Sequence, residues 1–180
     1  PYTGTGTFTR TAGAYSYTIR DSKGCLNTVS GTITQPARLV VSSSILQLIS
    51  CNGDSASVLV GATGGTAPYI GTGTFKKLAG TYTFAVSDAN GCSSASSITV
   101  TQPSALTVAA SFNPILCNGG SGLVQVSASG GSLPYSGIGT YTVVAGTYSY
   151  LVTDGNGCSA NTSITVTQPT LLVTNVIPTN

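Results

Sequence analysis

Residues 81–92 read TYTFAVSDANGC, and their pattern indicates the fold class of the chain. Its large side chains alternate with small or polar ones, so that Tyr82, Phe84 and Val86 fall on one face of an extended strand. A period of two residues is typical of a half-buried β-strand, because successive side chains point to opposite faces. The turn at 88–92 contains Asn and Gly, which tolerate positive φ and favour a hairpin. The stretch therefore predicts a strand that enters a β-hairpin.

The same stretch occurs twice more, as AYSYTIRDSKGC and TYSYLVTDGNGC, which begin at residues 14 and 147. Thr-Gln-Pro and Cys-Asn-Gly triplets recur with the same step of 66 or 67 residues. Self-similarity at a fixed period indicates a tandem repeat. We expect residues 1–36 to be the C-terminal part of a truncated repeat, 37–103 and 104–169 to be complete repeats, and 170–180 to be the first strand of a further repeat. The molecule is then expected to continue in both directions.

Within one repeat the alternation predicts five strands and no helix. They lie near residues 38–48, 55–63, 69–76, 80–88 and 93–102, separated by Gly, Pro and Asn turns. Apolar residues in register include Val58, Val60 and Ala62, matched by Val124, Val126 and Ala128. Short strands with turn signals every 8–12 residues are typical of antiparallel sandwiches. The predicted fold class is all-β, as tandem small Ig-like antiparallel β-sandwich repeats of about 66 residues.

Composition excludes several classes of function. The chain has no His, and only six Lys or Arg and four acidic residues, for a net charge of +2. Without His or paired carboxylates, no common catalytic triad or acid–base pair can be assembled, so we predict no enzyme, no catalytic residue and no cofactor. The Asp-x-Asn-Gly turn offers too few ligands for calcium, and the cysteines lack a Cys-x-x-Cys motif for zinc, so no metal site is predicted. Few basic residues argue against nucleic acid as a partner. No apolar run reaches the length of a membrane span.

The five cysteines occupy two positions of the repeat, 51 and 117 at one and 25, 92 and 158 at the other. Small secreted domains commonly need disulfides for stability. Pairing within repeats predicts Cys51–Cys92 and Cys117–Cys158, and leaves Cys25 with a partner upstream of residue 1. The alternative pairs, Cys25–Cys51 and Cys92–Cys117, are disfavoured because the strands between them run onward and carry the sulfurs apart. A plain strand count, however, puts Cys51 and Cys92 at opposite ends of a sandwich, so the alternative stays open.

The ordered motifs carry a resemblance to a known family. Cys-Asn-Gly, a strand ending in Gly-Gly, Pro-Tyr, Ala-Gly-Thr-Tyr, Val-x-Asp-x-Asn-Gly-Cys and Thr-Gln-Pro follow one another across the whole chain. In this order they resemble the SprB-type repeats of Bacteroidetes surface proteins. The chain departs from that pattern in the short Gly-Thr-Gly-Thr-Phe segment at 71–75 and in Lys23, which stands where the turn has Asn. The resemblance implies a long secreted adhesin exported by type IX secretion, located at the cell surface.

The predicted function is therefore a structural repeat region, a stalk or filament, of a large secreted bacterial surface adhesin serving cell adhesion or gliding motility. Its expected partners are neighbouring repeats of the same chain, other copies aligned laterally in a filament, and surface polysaccharide. The alternative is a carbohydrate- or surface-binding module in which the repeats themselves bind ligand, with the segment at 71–75 as the nearest candidate. Asp54-Ser55-Ala56 resembles the O-glycosylation acceptor of Bacteroidetes, which makes Ser55 a predicted modification site.

Overall fold

The computed structural model describes residues 1–174. Within this range the chain is all-β, with twelve strands and no helix, and the pairs β1–β2, β4–β5, β8–β9, β9–β10 and β11–β12 are antiparallel. The strands are β1 (Gly13–Arg20), β2 (Leu26–Ile33), β3 (Val40–Gln47), β4 (Ala56–Thr63), β5 (Gly73–Lys77), β6 (Gly80–Ser87), β7 (Ser93–Val100), β8 (Thr107–Phe112), β9 (Gly122–Ser129), β10 (Gly139–Val143), β11 (Gly146–Thr153) and β12 (Ser159–Val166). In these residues no helix is long and apolar enough to cross a membrane.

The strands form small sheets that alternate along the chain between three and two members. β3–β4–β5 and β8–β9–β10 are three-stranded with the middle strand central, whereas β1–β2, β6–β7 and β11–β12 are hairpins. This arrangement confirms the predicted all-β sandwich class. The predicted repeat boundaries at 37, 104 and 170 stay predictions, and residues 175–180 of the expected last strand lie outside the described part of the chain.

Four of the five strands predicted between 38 and 102 begin and end within about two residues of the observed ones. The fifth, predicted at 69–76, is shorter, since regular pairing begins only at Gly73. Ile70 instead forms an isolated bridge to Ser87, and Gly71 follows with φ +99°. A Cβ on Gly71 would lie 2.5 Å from the carbonyl oxygen of Ala85. At Gly71 the backbone therefore passes too close to the strand that contains Ala85 for a side chain to fit. Regular pairing of β5 begins only after this crossing.

By its internal contacts the chain divides into two compact units. The first consists of Pro1–Ser42, Gly61–Thr72 and Phe84–Ser96, and the second of Ser43–Val60, Gly73–Thr83 and the chain from Ser97 onward. The division cuts through β3, β4, β6 and β7, so the units do not follow the predicted repeats.

In the second unit, β8 to β12 form a two-layer core. Hairpin β11–β12 packs its apolar face against the three-stranded sheet, with β12 in contact with β8. The innermost residues are all apolar and branched: Ile115, Val124, Val126, Val152 and Val166. Full burial of one such side chain stabilises a fold by about 1.5 kcal/mol or more. The predicted inward face of these strands is therefore the core of the sandwich.

The outer faces are polar without being charged. Thr147 and Thr165 lie opposite one another on β11 and β12, and their hydroxyls are 3.0 Å apart. Thr81 and Thr99 make the same contact on β6 and β7, also at 3.0 Å. Cross-strand hydrogen bonds of this kind support sheet pairing, and the branched Cβ of Thr favours extended backbone. The solvent-facing surface of these hairpins is therefore polar because of hydroxyl groups and not because of charged groups.

In the first unit, hairpin β1–β2 has the same inward pattern, but its apolar face borders an open groove. The groove has a volume of about 490 Å³ and is lined by Gly4, Thr5, Gly6, Phe8, Arg10, Tyr15, Tyr17, Ile19, Val29 and Ile33. Val29 and Ile33 are both exposed. The apolar stripe of this hairpin is thus largely uncovered.

Candidate functional site

The hairpin turn at 154–158 is built around one carboxylate. Asp154 Oδ1 accepts hydrogen bonds from the backbone N–H groups of Asn156 and Cys158, both at 2.9 Å, and Oδ2 accepts one from Ser132 N–H at 2.9 Å. Burial raises the pKa of Asp154, but the backbone hydrogen bonds from Ser132, Cys158 and Asn156 outweigh it and leave the pKa below its ordinary value. The carboxylate therefore ties the hairpin to the Gly-Gly turn.

The equivalent turn in the first unit repeats this geometry. Asp88 accepts from Thr66 at 3.0 Å, Asn90 at 3.0 Å and Cys92 at 2.8 Å. The pKa of Asp88 is lowered, first by the hydrogen bond from Thr66. Gly65, with φ +57°, lies so close that a Cβ there would be 2.7 Å from Asp88 Oδ2. A residue without Cβ is thus needed at position 65 to admit the carboxylate, and the contacts of this turn are structural.

The tip of the 154–158 hairpin carries the disulfide of the structure. Cys158 is bonded to Cys51, with their Cα atoms 5.6 Å apart and a sequence separation of 107. Beside the bond, Asn156 Nδ2 donates to the carbonyl oxygen of Ser50 at 3.0 Å. The hairpin is therefore held both covalently and by a hydrogen bond to the segment before the Cys-Asn-Gly triplet.

This pairing corrects the prediction from sequence. The predicted disulfides Cys51–Cys92 and Cys117–Cys158 are wrong, since Cys51 is joined to Cys158 while Cys92 and Cys117 carry exposed thiols. The alternative pairs are not formed either, because the thiol of Cys25 is also free and exposed. The observed bond joins residues predicted to belong to two successive repeats.

The reason is visible along strand β12. Cys158 directly precedes the strand, whose eight residues span roughly 25 Å. The loop that contains Cys117 lies beyond the other end of β12, because Asn118 Nδ2 donates to the carbonyl oxygen of Pro169 at 2.9 Å. A disulfide requires Cα atoms within about 7 Å. Cys117 and Cys158 therefore lie at opposite ends of the strand and cannot pair.

The Cys-Asn-Gly triplet receives a second set of contacts from Thr-Gln-Pro. Asn52 Nδ2 donates to the carbonyl oxygen of Pro103 at 2.9 Å, and Gly53 N–H donates to Gln102 Oε1 at 3.0 Å. The copy at 117–119 makes the same two bonds to Pro169 and Gln168, at 2.9 and 2.8 Å. From the sequence alone, Thr-Gln-Pro is only a marker of the repeat period. The signal for its role was present in the fixed spacing of about 50 residues between the two triplets.

The copies of the 71–75 segment at 4–8 and 137–141 pack their aromatic residue against other residues of the chain. Phe8 stacks on Tyr17 with ring centroids 4.4 Å apart, and Tyr141 contacts Tyr150 at 4.9 Å. The first glycine of each copy lies directly against the backbone of a neighbouring strand. A Cβ added to Gly4, for example, would lie 2.6 Å from the carbonyl oxygen of Thr18. Backbone crossing and ring packing therefore account for this motif without a ligand.

One hydroxyl in the core has no partner. Tyr150 Oη is buried and makes no hydrogen bond. Its burial, with Tyr148 and Tyr141 as further causes, raises the pKa of Tyr150 above its ordinary value. In the first hairpin the equivalent Tyr17 Oη accepts a hydrogen bond from Arg10 Nε at 2.8 Å. The equivalent residue in the middle copy is Phe84, which has no hydroxyl. The fold of the repeat therefore does not need a Tyr at this position.

Nothing else in the described residues forms a chemical centre. Residues 1–174 contain no group of three or more His, Cys, Asp or Glu side chains that could hold a metal ion. Ser55, the predicted glycosylation acceptor, is half-buried beside the start of β4, and its modification stays a prediction. No family model matches the chain, and no curated protein matches it either. The junction around Cys51, Gln102 and Cys158 is therefore the candidate functional site.

Proposed function

We propose that this chain is the structural repeat region, a stalk or filament, of a large secreted bacterial surface adhesin that serves cell adhesion or gliding motility. The observation that carries the proposal is the disulfide between Cys51 and Cys158, which links two segments 107 residues apart across the Thr-Gln-Pro junction at 101–103. Such a bond is useful in a stalk, because it keeps the two segments together when the chain is under tension. Disulfides persist mainly in oxidising, extracellular surroundings, which favours a secreted location.

The junction supports a mechanical role in a second way. The contacts of Asn52 and Gln102 lie inside the loop that the disulfide closes, so pulling the chain ends apart loads them only once the disulfide is reduced. Hydrogen bonds that must all break together resist separation better than bonds that break one after another. A Thr- and Ser-rich surface of low charge suits a long exposed rod, and the SprB-type motif order adds the expectation of a surface adhesin. The expected partners are neighbouring repeats, other copies in a lateral assembly, and surface polysaccharide.

Single-molecule pulling between the two chain ends tests this role. With the disulfide intact, unfolding cannot extend the loop that it closes, so only the remaining residues lengthen. Reduction should then release about 370 Å of additional contour length, because 107 residues extend by about 3.5 Å each. Cys51→Ser should release the same length without reductant, and Cys25→Ser, which removes an exposed free thiol, should release none. Equal contour lengths before and after reduction would contradict a locked stalk.

Location and binding are tested on the producing cell. An antibody against this chain should label intact bacteria, and labelling should disappear after protease treatment of the cell surface. The alternative function, a carbohydrate- or surface-binding module, predicts instead that the isolated chain is retained on surface polysaccharide. Retention that is lost when Arg10 and Phe8 at the groove are replaced would favour the binding module over the stalk.

A further inference from the structure

The chain contains a second copy of the loop that receives the disulfide. In the first copy Asp54 N–H donates to the carbonyl oxygen of Cys51 at 3.1 Å, and in the second Gly120 N–H donates to that of Cys117 at 3.0 Å. The glycines between them have φ of +90° and +78°. Together with the matching bonds to Gln102 and Gln168, these contacts give the two loops the same local geometry.

The two loops differ in what lies against them. The first is bonded to the hairpin 154–158 through Cys51 and through the carbonyl oxygen of Ser50. In the second loop Leu116 occupies the position of Ser50, and the thiol of Cys117 is exposed. The second loop therefore has the carbonyl and the sulfur of the first, but neither is engaged by a hairpin.

The apolar surface beside the second loop is also uncovered. At the formed junction Leu106 is half-buried, close to the groove around Cys51 and Cys158. Its equivalent Leu172 is 87% exposed, and Leu116 is 86% exposed. The same repeat position is therefore covered at the formed junction and uncovered here, as expected of an interaction surface without its partner. This uncovered surface is an observation independent of the free thiol.

We infer that Cys117 and the residues around it form a docking site for the Asp-x-Asn-Gly-Cys hairpin of a further repeat, which the site binds through a disulfide. The occupant is identified by the junction already formed in the structure, in which the equivalent loop holds this hairpin. Successive junctions would then be closed by staggered disulfides, each from the Cys-Asn-Gly loop of one repeat to the hairpin of the next. The inference extends the proposed stalk, but it does not depend on adhesion.

The bond forms by thiol–disulfide exchange with a small-molecule disulfide. The Cys117 thiolate attacks that disulfide and releases one thiolate, which takes up the proton lost by Cys117. The hairpin cysteine, as thiolate, then attacks the Cys117 sulfur and releases the second thiolate, which takes up the remaining proton. The two cysteines are oxidised by two electrons, and the small disulfide is reduced to two thiols.

The test lengthens the full chain by one repeat, with a second copy of residues 104–169 inserted directly after Pro169. Oxidation with glutathione disulfide followed by peptide mapping should find two cystines where the unextended chain has one. The new cystine should join Cys117 to the appended copy of Cys158, and iodoacetamide should no longer label Cys117. A cystine within the appended repeat, or a Cys117 that labels as before in the folded protein, would overturn the inference.

Two controls keep the result decisive. In the extended chain, Cys117→Ser should leave the appended copy of Cys158 as a free thiol while the Cys51–Cys158 cystine persists. If the appended repeat fails to fold, as judged by proteolysis, the unextended chain oxidised at high concentration supplies the readout. Its covalent dimers should join Cys117 to Cys92 of the second copy, because Asp88 builds the same Asp-x-Asn-Gly-Cys turn there, with bonds of 3.0 and 2.8 Å. Dimers linked without preference among the three free thiols would overturn the inference.

Discussion

Hairpins β1–β2 and β11–β12 have the same pattern of residues but different surroundings. Tyr15, Tyr17 and Ile19 on β1 correspond to Tyr148, Tyr150 and Val152 on β11. Both hairpins pair over eight residues in the same register. At the end of the second strand, however, Ile33 is 39% exposed whereas Val166 is 2% exposed. The local sequence is sufficient to form either hairpin. The apolar face of β11–β12 is buried because the sheet β8–β9–β10 packs against it.

The same two hairpins differ in the state of their cysteines. Asp21 and Asp154 each accept hydrogen bonds from the residues two and four positions later, so the turns are alike. Cys158 is nevertheless bonded to Cys51, while Cys25 is an exposed thiol. The turn presents the sulfur at the hairpin tip, and the neighbouring loop decides whether it is oxidised. Four pairs of matched substitutions test how far these differences in surroundings matter.

The largest expected difference concerns the disulfide. Cys158→Ser should lower the free energy of unfolding of the second unit by about 4–5 kcal/mol, because the bond closes a loop of 107 residues in the unfolded chain. Cys25→Ser should change stability by less than about 0.5 kcal/mol, as expected for an exposed group without a partner. Native-state hydrogen exchange of the β9 and β12 amides measures both variants. Equal protection in the two would show that the bond adds nothing to the fold.

The next difference concerns the apolar faces. Val166→Ala removes two methyl groups from a packed core and should cost about 2 kcal/mol. Ile33→Ala removes more atoms, but from a side chain that is already 39% exposed, and should cost less than about 1 kcal/mol. Urea unfolding followed through the tyrosine signals gives both values. A larger loss for Ile33→Ala would mean that the face of β1–β2 is covered in solution.

Acid should affect the turns that hold a Gly-Gly pair. The pKa values of Asp88 and Asp154 are lower in the folded chain than the unfolded value of about 3.9, so protons bind the unfolded state more tightly. The stability from these carboxylates is complete above about pH 5 and is lost as the pH falls through the folded pKa values. The melting temperature should therefore be flat from pH 7 to 5 and fall steadily below pH 4.

The matched variants locate this acid effect. Asp154→Asn should lower the melting temperature at pH 7 by several degrees. When the pH is then lowered, the melting temperature of this variant should fall by less than that of the parent chain. Asp21→Asn should have a smaller effect at pH 7, because Asp21 ties together residues of its own turn only. Thermal unfolding between pH 7 and pH 2.5 measures this. A parent chain whose melting temperature rises below pH 4 would contradict the sign.

The smallest difference concerns the tyrosine hydroxyls. Tyr150→Phe removes a buried hydroxyl that has no partner and should stabilise the second unit by about 1 kcal/mol. Tyr17→Phe removes the acceptor of the Arg10 hydrogen bond at an exposed position and should destabilise by at most about 0.5 kcal/mol. The opposite signs, read from urea midpoints, distinguish an unsatisfied hydroxyl from a satisfied one. A destabilised Tyr150→Phe variant would indicate a partner, such as a bound water.

Much of the fold follows from the sequence because the relevant interactions are short in range. Alternation over 81–87 identifies strand β6 and its inward face, and the Asp, Asn and Gly of 88–92 identify the turn. The late start of β5 could not be read from the pattern, because it depends on Gly71 meeting the backbone of another strand. The hydrogen bond from the N–H of Thr66 to Asp88 could not be predicted either, because the two residues are 22 positions apart in the sequence.

The positions of most strands along the chain, the hairpin turns and the inward-facing residues can be read from local pattern, since each depends on neighbours within a few positions. The pairing of the cysteines depends instead on how distant segments pack together. Periodicity makes Cys51 equivalent to Cys117 and Cys92 equivalent to Cys158, and it allows several pairings that repeat equally well. The choice depends on which ends of the strands lie together in space. A strand of eight residues separates its two ends by roughly 25 Å, too far for a disulfide to span.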